Sequence, residues 1–222
     1  MKTAIITGVS RGIGQSLANK FLKENYNVIG TSTSGKVNID NPNFEVIRLD
    51  LSNPASILKA TNKITKKISE INVLINNAGV NLQDFDVINM DISILRRTLE
   101  INLIGLINFT ERLLSNMSPK GQIINVSSIM GSLSKSSSDE ALDDPCYRIS
   151  KTAINMYTKT LASRLRKQGI TVSSVHPGWV KTDMGGKDAP RKPEEAATQI
   201  FKLATTPHQT ALFWYDNKKL PW

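Results

Sequence analysis

The stretch Thr7-Gly8-Val9-Ser10-Arg11-Gly12-Ile13-Gly14 constrains this chain most. The apolar run Ala4-Ile5-Ile6 precedes it, enough for a short buried strand, and Leu17, Ala18, Phe21 and Leu22 follow on one face of an amphipathic helix. A strand that turns through glycines into a helix leaves the first N–H groups of that helix unpaired, where they stabilise an anion. Gly8 suits the sharp turn, Gly12 a close approach of backbone to phosphate, and Gly14 close packing of helix on strand. Glycine turns also occur where nothing binds, so the rest of the chain has to decide.

Beyond the turn, short apolar runs alternate with helical patterns. Strands are expected at residues 4–6, 27–31, 44–49, 73–75, 122–126, 170–175 and 211–213. Further helices are expected over 54–69, 91–115, 145–168 and 193–205. The first of these four carries Ile57, Leu58, Ile64 and Ile68 and opens on Pro54, which suits a first turn; Gly169 closes the third. This alternation argues for an α/β fold, a doubly wound parallel sheet of about seven strands with helices on both faces and ligands at the carboxyl ends of the strands. No repeat or linker divides the 222 residues, so a single domain over 1–222 is expected.

Apolar residues make up 40% and charged residues 21%, the balance of a soluble globular protein. No apolar run is long enough to span a bilayer, so no membrane partner is expected. Met1-Lys2-Thr3 runs straight into the first strand, and no targeting peptide is expected. A lone cysteine, Cys146, excludes an internal disulfide and suits a reducing cytoplasm. No metal site is expected. The net charge of +9 is spread over helices and loops, and the densest helical group, Lys63, Lys66 and Lys67, reads as a solvated face. Without a nucleic-acid-binding motif, that charge argues for no nucleic-acid partner.

Strand ends carry the chemistry of a doubly wound sheet. Asn76-Asn77-Ala78-Gly79 follows the fourth strand, and Ser127 and Ser128 follow the fifth. Tyr147 and Lys151 stand four apart, on one face at the start of the next helix. Asn102 lies within a long helix although asparagine is a mediocre helix former. Pro177-Gly178-Trp179-Val180-Lys181-Thr182 follows the sixth strand. In this order, over essentially the whole length, Thr-Gly-x-x-x-Gly-x-Gly, Asn-Asn-Ala-Gly, Asn102, Ser128 and Tyr-x-x-x-Lys resemble the short-chain dehydrogenase/reductase family. Segment 177–186 (PGWVKTDMGG) and Leu220-Pro221-Trp222 look like the branch that holds C-factor-like and sniffer-like carbonyl reductases.

The resemblance implies a Rossmann-type fold and reduction of an aldehyde or ketone, or oxidation of the corresponding alcohol, with NADP(H) preferred and NAD(H) the lesser cofactor. The residue types fit that chemistry. A free tyrosine has a pKa of about 10, too high for efficient proton exchange near neutrality, and a nearby positive charge lowers it. By resemblance Tyr147 is the general acid/base, Lys151 supplies the charge and holds the nicotinamide ribose, and Asn102 supports a proton-relay water. Ser128 donates a hydrogen bond to the substrate oxygen; Ser127 competes for that role, and Ser128 is preferred for its spacing to Gly131. Gly8, Ser10, Gly12, Ile13 and Gly14 belong to the cofactor turn. Arg11 and Thr33 are assigned to the adenosine 2′-phosphate, because Ser32-Thr33-Ser34-Gly35-Lys36 offers no acid for a 2′-hydroxyl before Asp40. Asp50 and Leu51 are expected at the adenine, Asn77, Ala78 and Gly79 at the adenosine ribose, and Pro177, Gly178, Val180 and Thr182 around the nicotinamide. Family members are often homodimers or homotetramers built through helices like 91–115 and 145–168, whose apolar faces serve the sheet equally well. The alternative is a cofactor-binding signalling or sensor protein with little turnover. The intact set of Asn102, Ser128, Tyr147 and Lys151 argues against it.

Other residues are read as packing. His176 is expected to pack at a strand end, His208 has no identifiable partner, and Cys146 is a small semi-buried residue. Trp179 and Met184 either shape a pocket or simply pack. Segment 131–144, with five serines and little to bury, is expected to be a flexible surface loop beside the substrate.

Overall fold

Successive residues of β1 (Thr3–Ile6) feed opposite sides of a sheet: Ile5 enters one hydrophobic core, Ala4 and Ile6 the other. All three are fully buried, as in a strand covered on both faces. The computed structural model describes residues 1–82, 89–136 and 144–222. Its further strands are β2 (Asn27–Ser32), β3 (Phe44–Arg48), β4 (Ile71–Asn76), β5 (Met117–Val126), β6 (Thr171–Val175), β7 (Leu212–Tyr215) and β8 (Lys218–Leu220). They form one eight-stranded sheet in the order β3-β2-β1-β4-β5-β6-β7-β8. Neighbours pair in parallel except β7 with β8. The strand order reverses between β1 and β4, which opens a crevice at their carboxyl ends.

Helices α1 (Gly12–Lys23) and α6 (Pro193–Thr205) cover one face, where Phe21 meets Tyr26 and Phe201 edge-on at 5.0 and 4.8 Å. Helices α2 (Pro54–Lys67), α4 (Leu106–Leu113) and α5 (Pro145–Leu165) cover the other. The N-terminus of α2 is capped by Asn53, whose side chain accepts from Ala55 and Ser56 N–H, and Gly169 adopts φ +72° just after the turn that ends α5. A hydrogen-bonded polar chain runs under the sheet's carboxyl ends. Asn76 Nδ2 donates to Thr110 Oγ1 and Asn125 Oδ1, Asn125 Nδ2 donates to Thr158 Oγ1, and Thr158 meets Ser174 Oγ at 2.8 Å.

Three expectations change. The sheet has eight strands, not about seven, and its last pair is antiparallel: Ala211 takes φ +62°, β7 starts one residue later, and Asp216 and Asn217 turn the chain back with φ of 44° and 62°. Such two-residue turns need positive φ at both positions, which Asp and Asn tolerate. The helix expected over 91–115 is divided into α3 (Ile92–Leu99), a π-helical turn at Glu100–Gly105, α4 and a short 3₁₀ turn. There Gly105 packs so close to the Leu51 carbonyl that a Cβ would collide with it, and Asn102 turns inward. Finally, the first part of segment 131–144 is anchored. Ser132 Oγ donates to Pro221 O at 2.9 Å, and Ser134 donates to Trp222 O through N–H and hydroxyl at 3.0 and 2.8 Å. Trp222 in turn stacks on Phe213 at 5.7 Å. Ser132 and Ser134, expected in a flexible surface loop, are thus tied to Pro221 and Trp222; residues 137–143 of that expected loop lie outside those described.

Candidate active site

The glycine turn is locked to the Asn-Asn-Ala-Gly segment by hydrogen bonds. Thr7 Oγ1 accepts the N–H groups of Asn77 and Ala78, both at 2.9 Å, and Asn77 Nδ2 donates to Thr7 O and Gly8 O. Gly8 has φ +74°, and a Cβ on Gly14 would collide with the Gly8 carbonyl, so these two positions require glycine. Arg11 stands at the N-cap of α1 without a side-chain cap bond, which leaves the first helical N–H groups facing a cleft of about 540 Å³. Gly8, Ser10, Arg11, Gly12, Ile13, Gly14, Thr33, Asp50, Leu51, Asn77, Ala78 and Gly79 all line this cleft. Asp50 Oδ1 accepts from the backbone and hydroxyl of Ser52, which holds the carboxylate in place.

Across the cleft, Tyr147 and Lys151 line it from the first turns of α5. Lys151 is 4% exposed and its Nζ donates to the Val126 carbonyl at 3.0 Å, 5.3 Å from the centre of the Tyr147 ring. Burial pushes the Lys151 ammonium down to about 8. Burial also pushes the Tyr147 hydroxyl up to about 12, against the downward pull of a hydrogen bond to Ser128 and with a further rise from Asp144. With the hydroxyl desolvated, the cost of forming a buried phenolate prevails over the pull of Ser128. Ser128 meets the Tyr147 hydroxyl and accepts Met130 N–H at 3.2 Å. Ser127 borders the cleft but gives its hydroxyl proton to Lys151 O at 3.3 Å in the interior. Tyr157, further along α5, donates instead to Glu111 at 3.0 Å, and Arg164 clamps that carboxylate at 2.7 and 2.8 Å.

Asn102 is fully buried just behind this group. Its amide accepts Val80 N–H, donates to Val80 O and donates to Ser150 Oγ, at 2.8, 2.8 and 3.1 Å. At the far end, Pro177 and Thr182 line the cleft. Gly178 and Val180 sit behind them: Gly178, φ +87°, packs on Arg191 and Tyr215, and the buried Val180 bridges to Arg191. Met184 lines the cleft, whereas Trp179 is exposed and donates to Gly185 O at 2.7 Å.

Lys181 and Asp183 also line the cleft and were missed by the sequence reading, although two charges beside Thr182 were there to be noticed. Asp183 pairs with Arg11 Nε at 2.8 Å, with both side chains about three-quarters exposed. His208 does have partners, Ser173 Oγ and Thr206 O, both at 2.9 Å. His176 packs at its strand end as expected and also reaches the Ser128 bend, its Nδ1 accepting Ile129 N–H at 3.3 Å. Cys146 is buried, in no disulfide, and its Sγ donates to Asp91 O at 3.9 Å. Among the described residues no cluster of three or more His, Cys, Asp or Glu could hold a metal ion, and no helix is long and apolar enough to cross a membrane.

A family model described as short chain dehydrogenase matches residues 2–193. The chain is 32% identical over 190 residues to 3-oxoacyl-[acyl-carrier-protein] reductase FabG of Vibrio cholerae, covering 82% of this chain and 75% of that protein. It is 32% identical over 168 residues to the C-signal of Myxococcus xanthus, covering 73% of this chain and 98% of that one. Among solved structures, carbonyl reductase Sniffer of D. melanogaster superposes with a TM-score of 0.86 at 28% identity, over the full length of both chains. An NADPH-bound carbonyl reductase from chicken fatty liver superposes with a TM-score of 0.88 at 26% identity, over all of this chain and 94% of that one.

Proposed function

The chain belongs to the short chain dehydrogenase family, and on that premise we propose that it is an NADP(H)-dependent reductase of aldehydes or ketones that also runs in the alcohol-oxidising direction. The observation that carries this reading is the meeting of Tyr147 and Lys151 in a cleft whose opposite wall is the 7–14 turn, with Ser128 hydrogen-bonded to the Tyr147 hydroxyl from behind that lining. The turn fits a dinucleotide: the helix start is open to an anion, and no side chain fits at Gly14 between helix and turn. The NADPH-bound chicken reductase supports the choice of cofactor.

When bound, the cofactor supplies or takes the hydride. Ser128 donates a hydrogen bond to the carbonyl oxygen, and Tyr147 gives that oxygen a proton as it gains charge. Lys151, in its charged form, stabilises the phenolate left behind and holds the nicotinamide ribose. Asn102 fixes the Val80 backbone beside the pair and supports the proton relay. Gly8, Ser10, Gly12, Ile13 and Gly14 hold the pyrophosphate, Arg11 and Thr33 the 2′-phosphate, and Asp50 and Leu51 the adenine. Asn77, Ala78 and Gly79 take the adenosine ribose, and Pro177, Gly178, Val180 and Thr182 enclose the nicotinamide.

Tyr147→Phe tests this reading through NADPH oxidation over a panel of aldehydes, ketones and quinones. Folding and NADPH affinity are expected to survive while turnover falls roughly 10²–10⁴-fold. Near wild-type turnover moves the acid elsewhere. Likeness to the C-signal along nearly all of that protein favours a second reading, a cofactor-binding signalling protein. NADPH binding without oxidation across the panel selects it. Self-association into homodimers or homotetramers through α3–α4 and α5 belongs to the same proposal, supported by exposed Ile92, Ile104, Ile149 and Met156. So does a cytoplasmic location, supported by the chain's having a single cysteine.

A further inference from the structure

Ser128 is held from three directions. Its hydroxyl accepts Met130 N–H at 3.2 Å, and its carbonyl accepts Gly131 N–H at 2.9 Å. Both bonds arise inside the bend that follows β5. The third comes from another strand end, where Nδ1 of His176 accepts Ile129 N–H at 3.3 Å. The peptide joining Ser128 to Ile129 is thus bonded at its C=O by the bend and at its N–H by His176, which fixes Ser128 at ψ 152°. His176 is itself well anchored. Its N–H donates to Trp214 O at 2.8 Å, its carbonyl accepts from Gln199 Nε2 at 3.1 Å, and its ring lies 5.0 Å from that of Tyr215. Burial, with a smaller effect of Arg191 that Asp216 opposes, pushes the ring's pKa down to about 4, so it is neutral at physiological pH. With Nδ1 accepting, the ring proton resides on Nε2.

We infer that His176 is a positioning residue for the reaction proposed above: by accepting the Ile129 N–H it holds the peptide that aims the Ser128 hydroxyl at Tyr147 and at the substrate oxygen. The inference rests on the reading of Ser128 as the donor to that oxygen. An apolar side chain at position 176 would leave the Ile129 N–H without its acceptor and the Ser128 peptide free to rotate. A donor displaced by a fraction of an ångström loses much of its effect, since catalysis depends on near-exact placement of the reacting groups.

The test compares wild type, His176→Leu, His176→Asn, Ile129→Pro, Ser128→Ala and the double variant His176→Leu/Ser128→Ala. It reads kcat, KM, NADPH dissociation constant and melting temperature. Asparagine places an acceptor oxygen two bonds from Cβ, as histidine places Nδ1. Ile129→Pro removes the donor while leaving His176 intact, at the first position of a 3₁₀ turn where proline's fixed φ is tolerated. His176→Leu and Ile129→Pro are each expected to lower kcat roughly ten- to a hundredfold, with KM and NADPH affinity within about twofold. His176→Asn is expected to restore most of the loss. In the Ser128→Ala background, His176→Leu is expected to cost nothing further. If His176→Leu does not fold, Ile129→Pro carries the same test. Wild-type kcat in Ile129→Pro, no recovery in a folded His176→Asn, or a full additional loss in the double variant overturns the inference. Wild-type kcat in Ser128→Ala, by contrast, overturns the assignment of Ser128 and not the role of His176 alone.

Discussion

Lys151 keeps its ammonium against the Val126 carbonyl in a site so enclosed that its pKa falls to about 8. A lysine with a lowered pKa loses its proton at lower pH than usual, so the charge proposed to stabilise the Tyr147 phenolate is present below about pH 8 and lost above it. Tyr147, pushed up to about 12, stays protonated throughout that range. The kcat/KM for NADPH, which reports the cofactor-free enzyme, is therefore expected to be level up to about pH 8 and to fall about tenfold per pH unit beyond. A level profile to pH 10 removes the need for a charged Lys151. Arg11 poses a separate question, because its guanidinium pairs with Asp183. Exposed pairs are worth only about 0–1 kcal/mol, so a 2′-phosphate competes readily for this planar fork of donors. Arg11→Ala is expected to weaken NADPH binding by roughly 1.5–3 kcal/mol and NADH binding little. Equal losses in titrations at one salt concentration reduce Arg11 to a part of the turn.

At the scale of elements, α5 does several jobs along one helix. Its first turns present Tyr147 and Lys151. Slightly further along, Thr152 and Asn155 both donate to the Gly131 carbonyl, at 3.2 and 3.1 Å, and hold the Ser128 bend from the side opposite its own strand. Thr158 then ties the helix to β5 and β6 through Asn125 and Ser174. The active-site end of α5 is thus fastened to the sheet by directional bonds, whereas apolar contacts alone would allow sliding. Asn125→Ala removes the shared centre of that chain and leaves Asn76 and Thr158 each short of a buried partner. A loss of about 2–3 kcal/mol in unfolding free energy is expected from denaturant titration. A loss below about 0.5 kcal/mol means that the chain contributes nothing net to stability.

At the scale of the whole molecule, the reversal of strand order between β1 and β4 brings together segments far apart in sequence. The 7–14 turn, Asn77–Gly79, the start of α5 and the segment after β6 converge on one cleft because parallel strands all end on the same side. Much of this is determined by sequence alone. Each of the glycine turn, Asn-Asn-Ala-Gly and Tyr-x-x-x-Lys is contiguous or one helical turn long, so local geometry dictates its shape. The apolar alternation that specifies strand and helix is likewise local. Tertiary structure alone decided the rest. The π-helical turn at Asn102 arises where Gly105 meets Leu51, and Ser132 and Ser134 are held by Pro221 and Trp222. Arg11 meets Asp183, and His176 meets the Ser128 bend, across long separations in the chain. The proton affinities of Tyr147 and Lys151 follow from how deeply packing buries them, a property of the assembled core that local pattern does not encode.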